Sequence, residues 1–197
     1  MFLCWIQPIF ISFYHLEVSV YYIIISNKKI ISAARPPPFR NDLPGGKVKH
    51  GWDYRLNPVT CKASDVLIYG TGYCYSKSHL LAALLRANGI PSGLCYQRLI
   101  LDINISNSRF CLHGLNSVYL KKYGWYRIDA RGNKPGVDAD FCPPAEKLAF
   151  PIPYACERNL DGILAEPLPS VIKALTQNKT IEDVYENLPD IEMDSRY

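Results

Sequence analysis

The chain of 197 residues contains no CxxC pair, no cluster of basic residues, no grouping of acidic residues in a loop pattern and no internal repeat. Each absence removes a class of function. Seven cysteines, at positions 4, 61, 74, 95, 111, 142 and 156, are odd in number and lack ligand spacing, which fits neither a disulfide framework nor a zinc site. A reducing, cytoplasmic compartment is therefore the expectation. Lys plus Arg exceed Asp plus Glu by 22 against 18 and are scattered, so nucleic acid is not an expected partner. The acidic residues form no calcium loop, and no metal or other cofactor is expected. What is present is globular material: 48% of residues are apolar and 12% aromatic, enough to offset the ordering entropy of a packed chain.

Three segments follow from composition. Residues 1–38 are an apolar leader and a proline-rich linker, RPPPF at Arg35–Phe39 closing it with three prolines that hold an extended backbone. Residues 1–25 are almost uncharged and Lys28 and Lys29 follow them, the pattern of a membrane anchor or an export segment. Pro8, His15 and Glu17 interrupt the run and no basic segment precedes it, so a buried or irregular extension is the favoured reading. Attachment to a membrane, or export, through these residues is the alternative. The folded domain is placed at 39–160, and a helical C-terminal extension at 161–197.

Within the domain, residues 41–60 read as loop, with Gly45-Gly46 and Pro58 as breakers. Ser64 reads as the N-cap of a short helix, ASDVLIY, that stops at Gly70. From Cys74, the leucines 80, 81, 84 and 85 recur at helical spacing, and Asn88-Gly89 and Pro91 close the helix. The period then changes to two, through GLCYQRLIL, FCLHGLNSVYL and GWYRIDA, which are expected as antiparallel strands. CPPAEKLAFPIPYACE is expected to wrap the surface, and LPSVIKALTQ and IEDVYENL to form terminal helices. The fold class expected is α+β.

Cys74 stands two residues after Gly72 and at the head of its helix. Unpaired amides and the positive end of a helix dipole favour a thiolate, which is the nucleophilic form of a cysteine. A nucleophilic cysteine also needs a base, and the base an orienting partner. His79, five residues on, is rotated about 140° from Cys74 on the helix and is expected to pack or cap elsewhere. His113 lies within the strand FCLHGLN, and Asp129 ends the strand WYRID one hairpin later. The turn decides whether the two share a face. Pairing Leu120 with Trp125 separates them, whereas pairing Tyr119 with Trp125 around LKKYG makes His113 the diagonal neighbour of Asp129. That second register puts Asn116 on the other face, and the face of His113 and Asp129 is expected to meet the N-terminus of the Cys74 helix.

Three stretches, ASDVLIYGTGYCYSKSHLLAALLRANGIP, CLHGLNSVYL and WYRIDARGN, resemble the transglutaminase-like superfamily in order, spacing and local structure. Fainter similarity reaches FRND and HGWD upstream and FCPPAEKLAF downstream. The resemblance implies a papain-like core, in which a Cys-bearing helix packs on an antiparallel sheet that supplies His and Asp. It implies that Cys74 attacks a protein or peptide carboxamide, that His113 moves the proton, and that Asp129 holds the imidazole. An acyl-thioester then passes to an amine or to water. The backbone amide of Cys74 is the natural oxyanion donor. A cysteine protease on the same core, or a non-catalytic binding domain, are the alternative readings, and Trp52, Tyr73 and Gln97 are further candidate neighbours of the site.

Overall fold

The computed structural model describes residues 48–102 and 108–191. The leader, the RPPPF linker and FRND lie outside these residues. The elements run β1 (Lys49–His50), α1 (Gly51–Tyr54), α2 (Ala63–Tyr69), β2 (Thr71–Gly72), α3 (Cys74–Ala87), β3 (Ser92–Asp102), β4 (Arg109–Leu120), β5 (Gly124–Ile128), β6 (Asp140–Cys142), β7 (Ala145–Lys147), β8 (Arg158–Asn159), α4 (Pro169–Gln177) and α5 (Ile181–Glu186). Helices pack beside a four-stranded antiparallel sheet of order β5-β4-β3-β8, an α+β architecture.

Helix α3 forms where its apolar spacing requires. Leu81 and Leu85 pack with Val118, Tyr126 and Ile128 of the sheet, while Leu80 and Leu84 pack with Val66 of α2. Each fully buried leucine contributes roughly 1.5–3 kcal/mol, so this face alone fixes the helix on the sheet. The helix ends at Asn88, and Gly89 takes φ 71°, the left-handed conformation that closes it. Helix α2 begins one residue before Ser64. Its N-cap is Lys62, and the Ser64 hydroxyl donates to the neighbouring Asp65 carboxylate instead of capping.

The β4–β5 hairpin has Tyr119 opposite Trp125 and Leu120 opposite Gly124, the register that puts His113 and Asp129 on one face. That face is not the one on which α3 lies. The helix packs on the other parity: Asn116 Nδ2 donates to the Ser78 carbonyl of α3, and Val118 meets Leu81 and Leu85. Gly114 makes the approach close. A Cβ there would stand 3.0 Å from a ring carbon of Tyr75 and 3.2 Å from its Cα, so glycine is what lets the tip of α3 rest on the strand.

Two further segments differ from expectation. Residues 41–60 were expected as loop, yet the described part holds β1, paired parallel to β2 with His50 opposite Gly72, and the single turn α1. The Pro-rich stretch lies at the surface as expected, with β6 and β7 forming a largely exposed hairpin. The segment from residue 161 is not set apart from the domain. Val171, Leu175, Ile181 and Val184 share one core cluster with Tyr73, Cys74 and Tyr75. Pro169 starts α4, and a Thr180–Asp183 capping box starts α5.

Candidate active site

Cys74 is the first residue of α3. Its N-cap, Tyr73, supplies no side-chain acceptor, so the first-turn amides keep their polarity for whatever lies beyond the helix tip. The Tyr73 hydroxyl is drawn away, donating to the Ile181 carbonyl at 2.9 Å. The tight turn before the helix comes from Gly70, at φ 63°, which ends α2 and feeds β2.

The structure brings Cys74, His113 and Asp129 together. The Cys74 sulfur lies close enough to the His113 ring to act on its charge. His113 Nε2 lies 2.7 Å from Asp129 Oδ2, which leaves Nδ1 for the sulfur. Because α3 and His113 lie on opposite faces of the sheet, they meet at its edge: β5 ends at Ile128, opposite Asn116, and leaves the outer side of β4 unpaired by a strand at His113 and Gly114. Further along that edge, the Leu112 amide donates to the Pro189 carbonyl at 2.7 Å, so the C-terminal segment takes over where β5 stops.

The pair is deeply buried, with His113 4% and Asp129 8% exposed. Burial alone would push the His113 imidazolium down. The Asp129 carboxylate, the Cys74 sulfur and the hydrogen bond to Asp129 lift it instead to about 10. For Asp129, burial acts to raise the carboxyl, but the His113 charge and three hydrogen bonds hold it below the usual carboxylate range. Those bonds come from His113, from the Arg131 amide to Oδ1 at 2.9 Å, and from the Ala149 amide to Oδ2 at 3.2 Å. The Phe150 ring stands edge-on to the His113 ring with centroids 4.8 Å apart, shielding it from water.

Of the other candidates, His79 is turned away, its Nδ1 2.8 Å from the Cys61 carbonyl. Gln97 pairs across from His113 on β3 and donates to the Phe150 carbonyl and to Asn159. Trp52 packs against the core cluster that includes Tyr73 and Cys74 and stacks on Tyr185 with centroids 3.8 Å apart. Sequence reasoning missed His50, Asp53 and Arg131. His50 is 6% exposed and packs edge-on against Tyr73. Burial, then the Arg131 charge, push its imidazolium down to about 3 despite the nearby Asp53. Among the described residues no group of three or more His, Cys, Asp or Glu is arranged to hold a metal ion, and no helix is long and apolar enough to cross a membrane. The six described cysteines are free thiols.

A thiol at a helix tip, beside an imidazole that is hydrogen-bonded to a carboxylate, has the parts that nucleophilic cysteine chemistry requires. Residues 46–130 match the model of the Transglutaminase-like superfamily. The matched region includes Cys74, His113 and Asp129. No curated protein matches the chain.

Proposed function

We propose that this protein is a cysteine acyl transferase or amidase, acting on protein or peptide carboxamides through an acyl-thioester on Cys74. The observation that supports it is the buried His113–Asp129 hydrogen bond beside Cys74 at the tip of α3, in a region that matches a family containing cysteine-dependent enzymes. The Cys74 sulfur attacks the carboxamide carbon and an S–C bond forms. The carbonyl oxygen takes the negative charge beside the Cys74 amide, at the positive end of α3. As the C–N bond breaks, His113 gives its proton to the departing nitrogen, and ammonia or an amine leaves. Water or a second amine then attacks the thioester carbonyl, His113 accepts its proton, and the thiolate is released. Asp129 holds the ring throughout and stabilises its charged form.

A papain-like core serves this chemistry, because it lets the nucleophile and its base come from two rigid elements meeting across an edge. The burial of the site favours a second reading. Cys74 is only 6% and His113 only 4% exposed, as in a binding domain that keeps the fold without turnover. Iodoacetamide labelling at pH 6 with mass-spectrometric mapping, followed by ammonia release from glutaminyl peptides with and without a primary amine, separates the readings. Fast, selective modification of Cys74 and a Cys74-dependent release of ammonia support the enzyme. Slow labelling of all thiols in the folded protein, with no release, supports the binding domain.

A further inference from the structure

We infer that Asp53 and Arg131 are a positioning pair that sets the Asp129 carboxylate for His113, an inference that rests on the proposed role of the triad. Asp129 has no strand to hold it, since β5 ends one residue earlier. Its orientation comes from the turn that follows, and that turn is anchored at Arg131. The Arg131 amide donates to Asp129 Oδ1 at 2.9 Å, while its carbonyl accepts from Lys77 Nζ at 2.7 Å. Lys77 stands one turn into α3, so the backbone of a single residue ties the acid to the helix that carries Cys74.

The Arg131 side chain fixes that backbone from the other direction. Its Nη2 lies 2.9 Å from Asp53 Oδ2 and 3.1 Å from Oδ1, with the two side chains 7% and 11% exposed. Asp53 belongs to α1, which follows β1, and β1 is bonded to β2 just ahead of Cys74. A closed ring of contacts results: Asp129, Arg131, Asp53, the β1–β2 pair, and the helix tip. Breaking it at Asp53 frees the Asp129 turn without touching the thiol, the imidazole or the acid.

Asp53 also differs from Asp129 in what surrounds it. Lys134 Nζ reaches its Oδ1 at 2.6 Å, in addition to Arg131, and His50 Nδ1 stands 3.5 Å from Oδ2. Its charge is absorbed by two cations, so it does not charge its histidine as Asp129 charges His113. With Asp53 neutralised, the Arg131 side chain loses the partner that anchors it, and the turn that holds Asp129 against His113 is freed. Cys74 and Asp129 act on His113 directly, and His50 is a third titratable group close enough to interact with it.

The test uses the intact chain and iodoacetamide, which requires no knowledge of the substrate. Asp53→Asn is expected to lower the rate of Cys74 modification at pH 6 at least tenfold and to move the pH profile of modification by half a pH unit or more. Asp53→Asn/Arg131→Met removes both charges and leaves no buried charge unpaired, so it is expected to fold and to show the same loss. Lys134→Met, which leaves the Asp53–Arg131 pair in place, is expected to stay within twofold of the unaltered protein. A rate and profile unchanged in folded Asp53→Asn overturn the inference, as does failure of both Asp53 variants to fold, which makes the pair a requirement of folding and not of positioning. If the unaltered protein itself lacks a fast-reacting Cys74, the underlying reading of the triad fails first, and the two failures are distinct.

Discussion

Replacing Asp129 by Asn keeps the shape of the acid and removes its charge. In the native site the His113 imidazolium stands at about 10 against an ordinary value of 6.5, a preference for the charged ring on the order of 5 kcal/mol. Burial opposes that preference, and the Asp129 carboxylate is the largest of the forces that overcome it. With the carboxylate gone, burial prevails, the ring becomes neutral, and the sulfur loses the cation beside it. The reaction of Cys74 with iodoacetamide at pH 6 is then expected to fall by roughly the 100-fold that a positioned acid–base partner contributes. The assay is the second-order rate of modification, with circular dichroism to establish that the variant is folded. A folded Asp129→Asn protein reacting within threefold of the native rate would refute the claim that Asp129 charges the ring.

The remaining expectations concern other thiols, acid stability and packing. Cys74→Ala should abolish the fast phase of modification, whereas Cys95→Ala and Cys111→Ala should preserve it, since burial pushes those thiols up to about 11 and about 12; peptide mapping of labelled protein decides. His50 takes its proton near pH 3 when folded and near 6.5 when unfolded, so its contribution to stability is full above pH 6.5 and is lost as pH falls. Urea unfolding should show a loss of about 2–3 kcal/mol between pH 6.5 and 4.5 that His50→Gln largely removes. His113 acts in the opposite sense, its contribution being full below pH 6.5 and lost as pH rises through about 10. Gly114→Val should cost about 1–3 kcal/mol through the clash with Tyr75 and slow Cys74 modification as the helix tip is displaced, read by thermal unfolding and labelling in parallel.

Strongly periodic parts of the molecule were legible in the sequence. Four leucines at helical spacing and an Asn-Gly stop define α3 to within a residue, and the parity of His113 and Asp129 selects one hairpin register from two. Parity says which residues share a face, however, and does not say which face a separate helix will take. The face of His113 was expected to meet the N-terminus of α3, and Cys74 does lie beside His113, but the body of the helix packs on the other face, against Gly114, Asn116 and Val118. A glycine inside an otherwise apolar strand was the available signal, since it marks a place where another backbone comes close. The HGWD turn had no such signal. A strand of two residues and a helix of four carry no period, and Asp53 gains its meaning only from Arg131, 78 positions later. The same holds for the C-terminal helices, whose existence was readable but whose packing beside Cys74 depends on contacts across more than 100 residues.

That last arrangement bears on how the protein is made. The residue immediately before the nucleophile, Tyr73, is fastened to the Ile181 carbonyl, and the Ile181 amide is in turn held by Asn57 Oδ1 at 2.9 Å. A ribosome adding about 5–20 residues per second needs roughly 5–20 s to cross the 108 positions between Tyr73 and Ile181. For the last 52 of those positions, from Asp129 to Ile181, the thiol, the imidazole and the acid have all been synthesised while the seat of the helix tip does not yet exist. A nascent or prematurely released chain therefore carries every residue of the proposed chemistry without the packing that aligns them, and reactivity at Cys74 becomes a late event in biosynthesis.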